Sequence, residues 1–345
     1  MMTPADPTSP HLRDETAIHA EQPDVAVGVP SGSASPPVSV PVSAHSVVLR
    51  EGTDAANAGS TTGAAATNQP KRRRTRNLAE TADRLSDRDW QILRSVSAHR
   101  FLTTAQIARL HFADHSTASG PTLARRVLGR LRDRRLVATL ERRVGGVRAG
   151  SAGLVYYVDV VGDRILRREA ERPSRRRFTE PSPTFLRHTL ALADTHVSLV
   201  EAERRNECQL VRLDVEPASW RKHLGLGGAQ LVLKPDLYLE TAVDAASPYI
   251  NSWFLEVDLG TEHLPALIRK SRDYDAYYRS GTEQAGSGSF PLVVWMMSAR
   301  DSSTTDRRIA ALRKAIDDDD RLDGTLFRVV RPEQLMTLIR GGGQR

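Results

Sequence analysis

The stretch that most constrains this chain runs from residue 231 to residue 258. Leu231-Val-Leu-Lys-Pro235-Asp236-Leu-Tyr-Leu-Glu240 is followed, after a turn of Pro and small residues, by Trp253-Phe-Leu-Glu256-Val-Asp258. Two apolar runs bounded by turn residues read as strands over 231–240 and 252–258. Residues two apart on a strand share a face, so Glu256 and Asp258 are expected to point the same way. Carboxylates converging from adjacent strands can hold Mg²⁺ or Mn²⁺, because these hard cations prefer oxygen ligands. Asp236, Glu256 and Asp258 are therefore candidate metal ligands; the plainer reading is acids on a solvated strand face.

Charge is distributed unevenly around this stretch. Residues 1–70 carry 2 basic and 7 acidic side chains, residues 71–180 carry 26 and 12, and residues 181–345 carry 21 and 23. The net +7 thus comes from the middle third alone, and such a concentration favours a polyanion, of which double-stranded DNA is the usual one. The single cysteine, Cys208, excludes an internal disulfide framework and any cysteine-rich zinc site. No apolar run approaches the ~20 residues that cross a bilayer, so no membrane association and a reduced, cytoplasmic setting are expected.

Composition and periodicity divide the chain further. Residues 1–80 read as a disordered tail ending in the basic tether Lys71-Arg-Arg-Arg-Thr-Arg76, because the first 70 residues hold no Phe, Trp or Tyr. Over 81–161, Ser86 opens a helix with Trp90, Leu93 and Val96 on one face. Thr104 is placed to cap a second helix with Ile107, Leu110 and Phe112. A third carries Leu123, Val127, Leu128 and Leu131, with Arg125, Arg126, Arg130 and Arg132 opposite. Leu136–Leu140 and Leu154–Val158 then form a hairpin whose long tip bears Arg142, Arg143 and Arg148. Three helices closed by a hairpin describe a winged helix-turn-helix, its third helix in the major groove and its wing along the backbone. The alternative is a merely solvated basic face. Many Arg and no clear Asn or Gln on that face imply more phosphate contact than base readout.

Residues 162–182 read as a short helix and basic linker, and 183–341 as a second domain. It begins with a helix over Phe185–Arg205. Strands follow at 208–215, 231–240 and 252–258, then a helix from Thr261 to Ser280 and a buried strand over Phe290–Met297. A helix (303–317), a strand (Leu326–Val330) and a helix begun by Pro332 complete it. The series α-β-β-β-α-β is expected to give a mixed sheet, so the chain as a whole is α+β or α/β. Glu201 and Glu203 are expected to face solvent, and His188 and His196 to satisfy local hydrogen bonds.

This core, with Pro235-Asp236 on its second strand and Glu256-x-Asp258 on its third, resembles the PD-(D/E)xK nuclease superfamily, the restriction-endonuclease-like fold. The chain from about Leu85 to Ile339 also resembles the replication-relaxation family of plasmid- and mobile-element-associated proteins of Gram-positive bacteria. Leu85-Ser-Asp-Arg-Asp-Trp-Gln-Ile-Leu93, Phe185-Leu-Arg-His188-Thr-Leu, Lys234-Pro-Asp236 and Phe254-Leu-Glu-Val-Asp-Leu-Gly-Thr-Glu262 carry that likeness, and Lys270 and Tyr274 sit where the family usually has a Lys and a Tyr. The nuclease resemblance implies a metal on Asp236 and Glu256 that polarises the scissile phosphate and activates water. Its pattern wants a Lys two residues after the strand acid, and Asp258 stands there instead. Lys270, on one helical side with Leu267, Tyr274 and Tyr277, is the candidate substitute. Tyr274 is expected to be packed rather than catalytic.

Other chemistry is excluded. No Gly-x-x-x-x-Gly-Lys-Ser/Thr motif exists, and no His-hydrophobe-His cluster of a paired-histidine relaxase. Three functions remain open: an Mg²⁺- or Mn²⁺-dependent nicking endonuclease, a non-catalytic replication or transcription factor, and an antitoxin-like repressor. The expected partners are double-stranded DNA and plasmid replication or mobilisation proteins.

Overall fold

The computed structural model describes residues 78–116, 118–141, 153–170 and 178–344. The acidic stretch, the tether 71–76, the hairpin tip with Arg142, Arg143 and Arg148, and linker residues 171–177 lie outside the described residues.

The first elements are α1 (Leu78–Asp83) and α2 (Asp87–His99). Ser86 starts α2 because its hydroxyl accepts the Asp89 amide while the Asp89 carboxylate accepts the Ser86 amide. Two donors that a helix start leaves without partners are thereby satisfied. α2 buries Ile92, Leu93 and Val96. A short strand, β1 (Leu102–Thr103), leads into α3 (Thr104–His111). The cap of α3 is Thr103, paired reciprocally with Gln106, and not the expected Thr104, which is buried in the first turn. α4 (Ser119–Asp133) buries Ala124, Leu128 and Leu131 and keeps Leu123 and Val127 at the margin of the same core. β2 (Val137–Thr139) and β3 (Val155–Val158) pair antiparallel as expected, and β1 adds to the free side of β3, giving the order β1-β3-β2. α5 (Val160–Glu169) passes so close to the start of β2 that a Cβ on Gly162 would lie 2.2 Å from the Leu136 carbonyl oxygen. Only glycine fits there.

The 22-residue α6 (Pro183–Arg204) is shared between two cores. Ala193 and Val197 join the core of α2–α5, whereas Leu192, Leu199 and Ala202 face the larger sheet. Polar ties reinforce the first side: Gln106 donates to the Leu190 carbonyl and Asp194, and Arg109 forks onto Glu201 at 2.7 and 2.6 Å. The expectation that Glu201 and Glu203 simply face solvent is thus corrected. Glu201 is an ion-pair partner, and Glu203 accepts the Leu210 amide and the Gln209 side chain.

After α6 come β4 (Gln209–Val215), the hairpin β5 (Arg221–Leu224) and β6 (Gln230–Leu233), then β7 (Leu237–Ala242) and β8 (Asn251–Asp258). α7 (Leu264–Arg279), a short α8 (Thr282–Ser287), β9 (Leu292–Met297), α9 (Ser302–Asp317), β10 (Phe327–Val330) and α10 (Leu335–Arg340) complete the chain. The protein is a mixed α+β structure with a mixed five-stranded sheet, ordered β10-β9-β8-β7-β4. β8, β9 and β10 run parallel; β7 pairs antiparallel with β8 and β4. Side-chain alternation in β8 sends Phe254 into the core under α7 and α9, and Trp253, Leu255 and Val257 into the core shared with α6 and α10. Glu256 and Asp258 therefore lie on the α7 side.

The single strand expected over 231–240 is two. Pro235 cannot donate to a ladder, so the chain leaves the hairpin at Leu233 and enters the main sheet only at Leu237. Lys234, Pro235 and Asp236 form the joint between them. Among the described residues no helix is long and apolar enough to cross a membrane.

Candidate functional site

At that joint Asp236 is held by two donors on one oxygen. Its Oδ2 accepts the Val257 amide at 2.8 Å and lies 3.1 Å from His188 Nε2. Oδ1 accepts no hydrogen bond from the described residues and is left to the cleft that Asp236 lines. Glu256, one position past the Leu237–Leu255 pair on the neighbouring strand, is 1 % exposed. One of its oxygens accepts from Lys270 Nζ and the other from the Tyr274 hydroxyl. Asp236, Glu256 and Lys270 thus share one cleft of about 890 Å³, with His188, Lys234, Arg269 and Asp273 also on its walls.

Asp258 shares the strand face of Glu256, but its carboxylate is committed elsewhere. Oδ2 receives Arg308 at 2.5 Å, and Oδ1 accepts the amides of Gly260, Thr261 and Glu262 at 3.1–3.3 Å. Gly260 turns the chain at φ +78°, which lets three successive amides converge on that oxygen. Among the described residues no group of three or more His, Cys, Asp or Glu is arranged to hold a metal ion. The remaining pair suits one hard cation better than a cluster: Asp236 offers a free oxygen, while Glu256 would have to exchange Lys270 for it.

The electrostatics of the pair are polarised. Burial raises the Glu256 carboxyl to about 8, and the negative charge of Asp236 adds to the effect. Burial acts on Asp236 as well, but the His188 hydrogen bond and the charge of Lys270 outweigh it and hold Asp236 below the usual carboxylate range. Burial likewise lowers His188 and Lys270, and the two acids more than reverse it, so both stay protonated to higher pH than usual. Two carboxylates in one cleft with their pKa values driven apart make it the candidate functional site. His188 was expected to bond locally; its partner lies 48 residues away. His196 is not bonded locally either: its ring nitrogen lies 2.8 Å from that of His99, 97 residues away.

The basic face of α4 differs in kind. Arg125, Arg126 and Arg132 are exposed, and no ion pair holds them among the described residues. Arg130 is drawn back onto the buried Asp89 at 2.5 Å, a contact that ties α4 to the start of α2. Arg142 and Arg143 fall outside the described residues. His188 and Arg308 were missed as partners of the acids because each comes from an element far away in sequence.

Taken together, the molecule pairs a helical module bearing a basic face with a mixed-sheet module bearing an acid–lysine cleft. The sequence model of the replication-relaxation family matches residues 93–293, from within α2 to within β9, and the chain belongs to that family. The match takes in both α4 and the cleft. No curated protein and no solved structure matches the chain.

Proposed function

We propose that this protein binds duplex DNA during replication or relaxation of a plasmid or mobile element, and that its cleft is a one-cation phosphodiesterase site of the PD-(D/E)xK kind. In this reading α2–α4 with β1–β3 form a winged helix-turn-helix, residues 81–161, with α4 in the major groove and β2–β3 as the wing. Residues 183–341 form the nuclease-like domain. Membership of the replication-relaxation family supports the setting. The observation that carries the catalytic half is the meeting of Asp236, Glu256 and Lys270 in one cleft.

Asp236 Oδ1 and Glu256 are the groups to hold Mg²⁺ or Mn²⁺. When bound, the cation supplies Lewis-acid polarisation of the scissile phosphate and a more acidic water. The chain's own residues do the rest. His188 and the Val257 amide saturate Asp236 Oδ2 and so present Oδ1 to the cleft. Tyr274 orients Glu256 from the buried side. Lys270, which lies on the same cleft wall and donates to Glu256, would bring positive charge to the phosphate as negative charge develops. Asp258 takes no part, because Arg308 and three amides hold it in place.

Tyrosine transesterification by Tyr274 or Tyr277 is not supported. Tyr274 and Tyr277 are buried and bonded to Glu256 and Glu283, and burial with those acids pushes both hydroxyls far above their ordinary range. One observation does favour a non-catalytic factor or an antitoxin-like repressor: Glu256 already has both oxygens satisfied by Lys270 and Tyr274. Supercoiled plasmid incubated with Mg²⁺ or Mn²⁺ separates the readings. Wild type should nick it, and Asp236→Ala should abolish nicking while duplex affinity stays within about twofold, an acid in the cleft being no phosphate contact. Wild type that never nicks removes the nuclease and leaves the DNA-binding factor.

A further inference from the structure

The hairpin of β5 and β6 stands outside the five-stranded sheet and pairs only with itself there. Its register, Lys222 opposite Val232 and Leu224 opposite Gln230, fixes two faces. The inner face is anchored: Leu233 joins the core, His223 packs against Tyr277 with ring centroids 4.8 Å apart, and Arg221 lies over Tyr238. Among the described residues nothing packs over the outer face. On it Leu224 is 62 % exposed and Val232 42 %, while Leu231, opposite His223 on the inner face, is 44 % exposed. Leaving three branched aliphatic side chains in water on one ribbon is unfavourable, and such patches mark a binding surface.

Position and charge narrow the partner. Leu231, Val232, Leu233 and Lys234 form one wall of the cleft that holds Asp236, Glu256 and Lys270. Two exposed lysines, Lys222 and Lys234, flank the aliphatic face. The tip turns through Gly227 and Gly228, both at φ +78°, with open space where a Cβ would stand. A two-stranded ribbon fits a DNA groove, and apolar side chains, Leu among them, serve as wedges between base steps. Two aliphatic side chains expose much less than the ~800 Å² per partner of a stable protein interface. A second copy of the chain therefore fits this face less well than a duplex does.

We propose that the β5–β6 hairpin is an apolar wedge that presses Leu224 and Val232 into duplex DNA beside the cleft and unstacks the base step there. The proposal rests on the DNA-binding reading above but not on cleavage. Unstacking would present a strained backbone to the neighbouring acids.

Full-length protein and duplexes carrying 2-aminopurine test it, with affinity and fluorescence read in the same titration and sedimentation run in parallel. Wild type should brighten the probe on binding. The Leu224→Ser/Val232→Ser variant should lose that rise while binding no more than roughly tenfold more weakly, because its phosphate contacts remain. Both positions are exposed, so the variant should keep the wild-type near-ultraviolet dichroism. Wild type that binds without brightening, or a variant that brightens equally, overturns the wedge and leaves DNA binding standing. Wild type that binds no duplex overturns both readings. A wild-type dimer that the variant converts to monomer assigns the face to self-association and ends the wedge.

Discussion

The arginines of α4 and the charged groups around the cleft are the same chemistry put to opposite uses. Arg125, Arg126 and Arg132 stand in water without ion pairs among the described residues, so they contribute little to folding and remain free for a polyanion. Arg308 and Lys270 instead face carboxylates that are 1–2 % exposed. There each charge is what makes its partner's burial tolerable. Arg130 lies between the two extremes, half in solvent yet bonded to the buried Asp89. A residue's type is therefore a poor guide to its role; the burial of its partner decides it.

That contrast orders the effects of substitution. Arg308→Met should be the most damaging, about 3–5 kcal/mol by denaturant unfolding, because it strands the buried Asp258. A loss below about 1 kcal/mol would mean that the three backbone amides alone suffice for Asp258. Next comes Glu256→Gln, read as a pH dependence. The folded carboxyl titrates near 8 and the free one near 4.5, so between those values the folded state keeps a proton that the unfolded state releases. Stability therefore falls as pH rises from about 4.5 to about 8. The variant should lose that component of the slope, and parallel curves for the two proteins would disprove the buried like-charge pair.

Arg130→Ala should cost about 1–2 kcal/mol by exposing Asp89's loss of a partner. The Arg125→Ala/Arg126→Ala pair should change stability by no more than about 0.5 kcal/mol per site. In return it should lower the salt slope of duplex binding by about 2, one for each lost phosphate contact. An unchanged slope would remove α4 from the DNA interface. If Arg130→Ala altered the slope and not the stability, the division drawn between these arginines would collapse.

Several features were legible because they are local. Ser86 and Asp89 mark the start of α2 three residues apart, and the spacing of apolar residues outlines α4, α6 and α9. β8 and β9 declare themselves as apolar runs, and Asp236 with Glu256 stood out against them. The hairpin was hidden, since Arg-Lys-His-Leu in β5 has no apolar alternation and Leu231-Val-Leu looked continuous with Leu237-Tyr-Leu. Thr103 and Thr104 are equivalent caps on paper. Only the reciprocal bond with Gln106 distinguishes them.

By itself the sequence determined the longer helices, the central strands, the concentration of positive charge in the middle third and the pair of acids at a proline joint, but not α1, which begins inside the stretch expected to be disordered, nor α8. Periodicity and capping act within a few residues, so a linear pattern records them. Tertiary structure decided which charges are spent and which stay free. Asp258 goes to Arg308, 50 residues on, Asp236 to His188, 48 residues back, and Asp89 to Arg130, 41 residues on. The balance between burial and compensation at each of these carboxylates exists only once distant elements are packed together.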